Sequence, residues 1–290
     1  MVHSSHRFGG GWTEAKLDKV RQYLTSYNVA LKNQPFTRLY IDAFAGTGYR
    51  TSKTDTSSRR DLFGVPQVNE FAKGSAQVAL EIDPAFDSYA FIEMNRNRLA
   101  ELKQLELQYP DKADRMSFIR ADANEAISKI CATTDWQRTR AVAFLDPYGM
   151  QVDWSTIERI ASTRAIDLWY LFPSGIGLNR LLTRSGRISP SWQARLDRML
   201  GYQGWRDVFY VSSAQEPLFS DSPTLQKVYD DERAERFILG RLEKLFAGVA
   251  QAALPLRNSK GQCMYHLVFA CGNPRGAKVA LRIAQHIITH

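Results

Sequence analysis

Cysteine is scarce: Cys131, Cys263 and Cys271 are the only three in 290 residues. So few, so scattered, they exclude a disulfide framework and a zinc site. Cys263 and Cys271 fall on one expected strand, too far apart to bridge, and all three read as small core hydrophobes. No run approaches the roughly 18 apolar residues a membrane helix needs, and the opening MVHSSHRFGGGW has no apolar signal core. A cytoplasmic protein with no membrane contact is the expectation. No low-complexity tract, repeat or linker divides the chain, so one domain over 1–290 is expected. Two further lacks bear on nucleotides. No G-x-x-x-x-G-K-[ST] occurs, and Thr51 stands where a dinucleotide fingerprint needs its third glycine. Hydrophobic residues at 44% and charged ones at 23% fit a globular protein with a substantial core.

What the chain does have is Tyr40-Ile-Asp-Ala-Phe-Ala-Gly-Thr-Gly48, an apolar run ending in an acid and two close glycines. This is the pattern of a strand entering a tight turn, where Gly46 and Gly48 permit φ > 0 and let a ligand lie against the main chain. Asp42, at the strand's carboxyl end, would repel a pyrophosphate but meet an ammonium or a hydroxyl. The charge points away from a dinucleotide and toward S-adenosylmethionine, whose ligand portion is cationic and free of phosphate.

Short apolar, β-rich runs recur at 38–44, 88–94, 117–121, 141–145 and 166–172, as buried parallel strands do. Helical spacing fills 75–82, 96–109, 124–131 and 154–162. Upstream, within 1–35, Thr13 reads as the cap of a helix to about residue 31, with Leu17, Val20, Leu24 and Tyr27 on one face. Beyond the fifth strand come an Arg-rich helical insertion at 174–207, a long helix over 225–250, and a hairpin of 253–257 and 263–271 around Asn258-Ser-Lys-Gly261. The expected fold is α/β: a doubly wound, Rossmann-like, seven-stranded sheet, mostly parallel with an antiparallel C-terminal hairpin.

Each of the first four strands ends in or beside an acid: Asp42, Glu93, Asp122 and Asp146. Charged groups there need solvent or a ligand. Glu93 is placed to accept the hydroxyls of a ribose. Asp122 can accept from an adenine amino group, with Ala123 offering its N–H, or can cap the following helix. Asp146 opens Asp146-Pro147-Tyr148-Gly149. A base amine has its lone pair delocalised, so methylating it requires acceptors that hold the nitrogen pyramidal. The Asp146 carboxylate and the Pro147 carbonyl can take the two amino hydrogens, and Tyr148 can stack on an extruded base. By contrast, His266 between Tyr265 and Leu267 reads as a packed core histidine, and Asp167 as a turn acid.

YIDAFAGTG, FIEMN, ADANE and FLDPYG, in this order and spacing, resemble motifs I to IV of class I S-adenosylmethionine-dependent methyltransferases. More narrowly, the Trp12 and Lys16 helix, KGSAQVALE, FLDPYGM and YHLVFACGNPRG resemble the three-Cys-motif partner family of bacteria, over nearly the whole chain. The resemblance implies S-adenosylmethionine as cofactor, with Asp42, Phe44, Gly46 and Gly48 around its methionine moiety, Glu93 at the ribose and Asp122 at the adenine; Ala43, Met94 and Ala123, next to these, complete the expected cofactor-binding set. It puts Asp146, Pro147 and Tyr148 where amino-methyltransferases carry D-P-P-Y. Here the second proline is missing and the aromatic comes one residue early, closer to the D-P-F-G of transfer RNA guanine-N2 methyltransferases. The resemblance also implies a radical-enzyme-like partner protein bearing a cysteine triplet, and with it a second role, that of a cofactor-binding partner subunit.

The net charge is +8. Arg50, Lys53, Arg59 and Arg60 follow the glycine turn, and Arg180, Arg184, Arg187, Arg195, Arg198 and Arg206 crowd the insertion. Such clusters are either solvated faces or a footprint for nucleic acid.

Overall fold

The computed structural model describes residues 11–46, 74–212 and 225–290. Helix α1 (Gly11–Leu31) leads into β1 (Thr37–Asp42), and then α2 (Ser75–Glu81), β2 (Ser88–Ile92), α3 (Arg96–Leu102), α4 (Leu105–Gln108), β3 (Met116–Ile119), α5 (Ala123–Thr133), β4 (Thr139–Leu145), α6 (Trp154–Ser162) and β5 (Ile166–Phe172) follow. A π-type turn, Ser174–Asn179, precedes α7 (Pro190–Leu200), α8 (Trp205–Phe209), β6 (Tyr210–Ser212), β7 (Leu225–Lys227), α9 (Asp231–Glu243), β8 (Gly248–Val249), β9 (Leu254–Arg257), β10 (Cys263–Cys271) and α10 (Ala277–Thr289).

One 8-stranded sheet has the order β3-β2-β1-β4-β5-β10-β8, with β9 also on β10. Strands β1 to β5 are parallel, and β10 runs antiparallel to β5, β8 and β9. The chain steps outward from β1 to β3 and returns to β4 on the other side of β1. That reversal opens a crevice at the carboxyl ends of β1 and β4, where open α/β sheets take their ligands.

Side chains alternate along each strand and divide the interior into two cores. Ile41, Ala143, Leu145, Leu168 and Tyr170 pack under α5, α6, α7 and α9. Tyr40, Val142, Phe144, Trp169 and Leu171 pack under α1, α2, α3 and α10. In α1 the residues Val20, Tyr23, Leu24 and Tyr27 are buried at helical spacing, and the Tyr23 ring lies 5.5 Å from Trp169 and 4.7 Å from Phe269. This lays α1 across β5 and β10.

The sheet has one strand more than expected, because the two-residue β8 pairs with Ala270 and Cys271. The long helix expected over 225–250 is shorter: the Asp230 carboxylate caps α9 by accepting from Arg233 N at 2.6 Å, with β7 before it and β8 behind. The pattern at 96–109 breaks into α3 and α4. Leu99, Leu102 and Leu105 are all buried, yet residues three apart rotate steadily off one face of a straight α-helix. The break returns Leu105 to the core. Thr13 lies inside α1, not at its cap. Among the described residues no helix is long and apolar enough to cross a membrane, and no group of three or more His, Cys, Asp or Glu could hold a metal ion.

Candidate active site

Strand register puts the acids on one rim. Asp42 pairs with Phe91 of β2 on one side and Phe144 of β4 on the other. Glu93 and Asp146 each follow two residues later, so they rise to the same level on either side of the chain leaving β1. Ile92 pairs with Ile119, and Asp122 follows beyond the end of β3.

Asp42 is fully buried. Tyr40 Oη donates to its Oδ2 at 3.4 Å, Phe44 N to its Oδ1 at 3.3 Å, and the Ser75 hydroxyl also donates to it. Burial nevertheless pushes its carboxyl up to about 7, and the charge of nearby Asp146 adds to the rise. Glu93 Oε1 accepts from Asn95 N at 2.7 Å, and the Asn95 side chain in turn caps α3. Asp122 caps α5, its Oδ1 accepting from Asn124 N at 2.8 Å and Glu125 N at 3.4 Å. Of its two readings, the cap is the one the fold uses.

Gly46 ends the described part of the first turn. It has no positive φ, contrary to expectation, and its value lies in the space beside it. A Cβ there would project toward Glu93 Oε2 at 3.7 Å and Tyr148 Oη at 3.8 Å. Gly46, the Glu93 carboxylate and the Tyr148 phenol thus converge on one point of the rim. Ala43 is buried, Phe44 half-buried and Met94 exposed. Gly48, Arg50, Lys53, Arg59 and Arg60 lie outside the described residues.

Pro147 is buried, whereas Tyr148 is 58% exposed with its ring 5.6 Å from the Arg98 guanidinium. The phenol therefore leans toward the β1 turn. Gly149 takes φ +73, which a side chain would strain, so the loop needs glycine where D-P-P-Y motifs carry tyrosine. Behind the rim, Lys16 Nζ donates to Asp146 Oδ2; the lysine is only 4% exposed. Sequence patterning marked Lys16 as a family residue without a role. Its signal was spacing, since position 16 falls on the same helical face as Val20, Tyr23 and Tyr27.

Beyond β5 the rim continues into a 630 Å³ cleft lined by Asn179, Arg180, Tyr229, Arg257, Gln262 and Met264, among others. It adjoins the Asp146 loop, because Met150 packs against Gly177. His266, 1% exposed, is a core residue whose Nδ1 lies 2.8 Å from Ser174 Oγ and fastens the π-turn to β10. A Cβ on Gly175 would sit 1.9 Å from the Cys263 carbonyl oxygen. Gly175→Ala should therefore destabilise the chain by about 1–3 kcal/mol, read in thermal unfolding as a fall in Tm of about 2–12 °C. An unchanged Tm would mean that the turn does not press on β10. Asp167 is no turn acid: it is buried, accepting from Tyr23 Oη at 2.7 Å and Gly272 N at 3.2 Å, and it ties α1 to the lower end of β5.

Of the six arginines in the insertion, Arg206 is structural. It donates to Gly186 O at 3.2 Å and Gln193 Oε1 at 2.9 Å and stacks on Trp205. Arg180, Arg184, Arg187, Arg195 and Arg198 are exposed, as are Trp192 and Tyr202.

No family model and no curated protein sequence matches the chain, so the likeness to three-Cys-motif partner proteins rests on its sequence motifs. Among solved structures, protein LPL1258 from Legionella pneumophila is similar over 83% of this chain and 94% of its own, with 14% identity and a TM-score of 0.40. The CurJ carbon methyltransferase is similar over 89% of this chain and 55% of its own, with 14% identity and a TM-score of 0.38. The functional reading rests on the chain's own geometry.

Proposed function

We propose that this chain is an S-adenosylmethionine-dependent methyltransferase that acts on an amino group of a nucleic-acid base. The observation that carries the reading is the register that raises Glu93 and Asp146 to one level on either side of Asp42. Glu93 Oε2, at the gap beside Gly46, is free of the Asn95 bond and accepts the ribose hydroxyls. Asp42 faces the positively charged methionine end, and the exposed Asp122, ahead of the buried Ala123, borders the adenine. When bound, S-adenosylmethionine supplies a sulfonium methyl, and transfer exchanges its S–C bond for an N–C bond, with a neutral thioether leaving and one amine proton lost. Asp146 and the Pro147 carbonyl accept the amino hydrogens and aim the nitrogen lone pair, so the residues act by positioning and electrostatics.

The exposed arginines with Trp192 and Tyr202 support a nucleic-acid acceptor, since cationic side chains track phosphates and aromatic faces take unstacked bases. Binding of total RNA should weaken steeply between low and physiological salt. Reversing Arg184, Arg187 and Arg195 to Glu should lower the slope of log K against log[salt] by about 2, at roughly 0.7 per contact on single strands. A slope unchanged by the triple variant removes this face from the acceptor's path. The function itself is tested by incubating the protein with radiolabelled S-adenosylmethionine and the RNA, DNA and protein fractions of cells that lack it. Label in RNA or DNA is expected; label confined to protein, or none, overturns the assignment.

A further inference from the structure

We infer that Lys16 is a positioning residue of the transfer centre, holding Asp146 from behind so that one carboxylate oxygen stays turned to the acceptor. The inference rests on the role given to Asp146 above. Helix α1 runs with Tyr23 at the lower end of β5, where it meets Asp167, and Lys16 two turns earlier at the rim. The lysine side chain is 5% exposed and its Asp146 partner 25%. Its ammonium also lies 5.9 Å from the Phe144 ring centroid. The ion pair occupies Oδ2, and among the described residues Oδ1 makes no hydrogen bond, which leaves that oxygen for an acceptor's amino hydrogens.

A carboxylate that binds amino hydrogens must be ionised, because a protonated one donates instead. Asp146 is faced by Asp42 and Tyr40 of β1 and by Tyr265 of β10. None of these supplies positive charge. Lys16 supplies the opposite charge. A pair serving only to fill space would be replaceable by apolar side chains without loss, whereas a pair on the rim also fixes the plane of the carboxylate.

The test uses the full chain, radiolabelled S-adenosylmethionine and total RNA from cells lacking the protein, with Lys16→Met and Lys16→Arg beside wild type. Lys16→Met is expected to lower kcat about a hundredfold, with KM for RNA and cofactor affinity little changed. Lys16→Arg restores most of the rate. A folded Lys16→Met variant with wild-type kcat, or a Lys16→Arg variant as slow as Lys16→Met, overturns the inference while the function stands. A wild-type protein that labels no nucleic acid removes the function, and the inference with it.

Discussion

Asp146→Asn is expected to lower kcat by about 10²–10³ and to cost the fold about 3–5 kcal/mol as well, because it removes the carboxylate that faces a buried ammonium. Lys16 is 4% exposed and its Nζ is held by Asp146 Oδ2. Asparagine keeps the size and one acceptor oxygen but removes the charge that offsets the desolvation of Lys16. Water cannot take over at so little exposure. The same change withdraws the anionic acceptor from the base amine, a loss of about 10²–10³ in kcat if it behaves like other preorganised electrostatic contacts. Cofactor affinity, which the proposed function assigns to Asp42 and Glu93, should change little. Pairing Asp146→Leu with Lys16→Met separates the two effects: stability returns toward wild type, since apolar replacement of a buried pair is often neutral or better, while transfer stays slow. Urea unfolding and label transfer on wild type, Asp146→Asn and the double variant check both halves. Wild-type stability in Asp146→Asn would show that the pair is not formed in solution.

Strands β1 to β5 were legible because buried parallel strands are apolar on both faces, and 166–172 coincides with β5. The acids on the rim were legible for the same reason: once the runs are parallel and adjacent, each acid just past a run falls at the carboxyl end. Elements held by other elements were not. β8 has two residues and exists because β10 offers an unpaired edge, and the split between α3 and α4 answers to a core that local spacing does not reveal. The pair of Lys16 with Asp146 joins residues 130 apart in sequence, so no local pattern displays it, although a lysine in the apolar register of α1 is its trace. Asp167 was misread because an acid at the start of a strand looks exposed until α1 is laid over it. Gly46 was expected to permit φ > 0, and the fold does not use that freedom.

Binding of S-adenosylmethionine is expected to be linked to the loss of about one proton near neutral pH, through Asp42. In the free protein its burial holds the carboxyl up at about 7, against the help of Ser75, Phe44 N and Tyr40. An unfolded aspartate releases its proton near 4. Between about pH 4 and 7 the native chain therefore binds more protons than the unfolded chain, and the contribution of Asp42 to stability falls as pH rises through that window, the slope being set by the difference in bound protons. A cation beside Asp42 reverses the preference by favouring the carboxylate. Below pH 7 cofactor binding must then expel the proton, so affinity should climb by up to about tenfold per pH unit from pH 5.5 and level off above 7. Calorimetry at pH 6 in two buffers of different ionisation enthalpy should differ by about one proton's worth of heat, and Asp42→Asn should abolish both the difference and the pH slope while weakening binding. An affinity constant from pH 5.5 to 7.5, with equal heats in the two buffers, would take Asp42 away from the positive end of the cofactor and leave its buried charge to the apo fold alone.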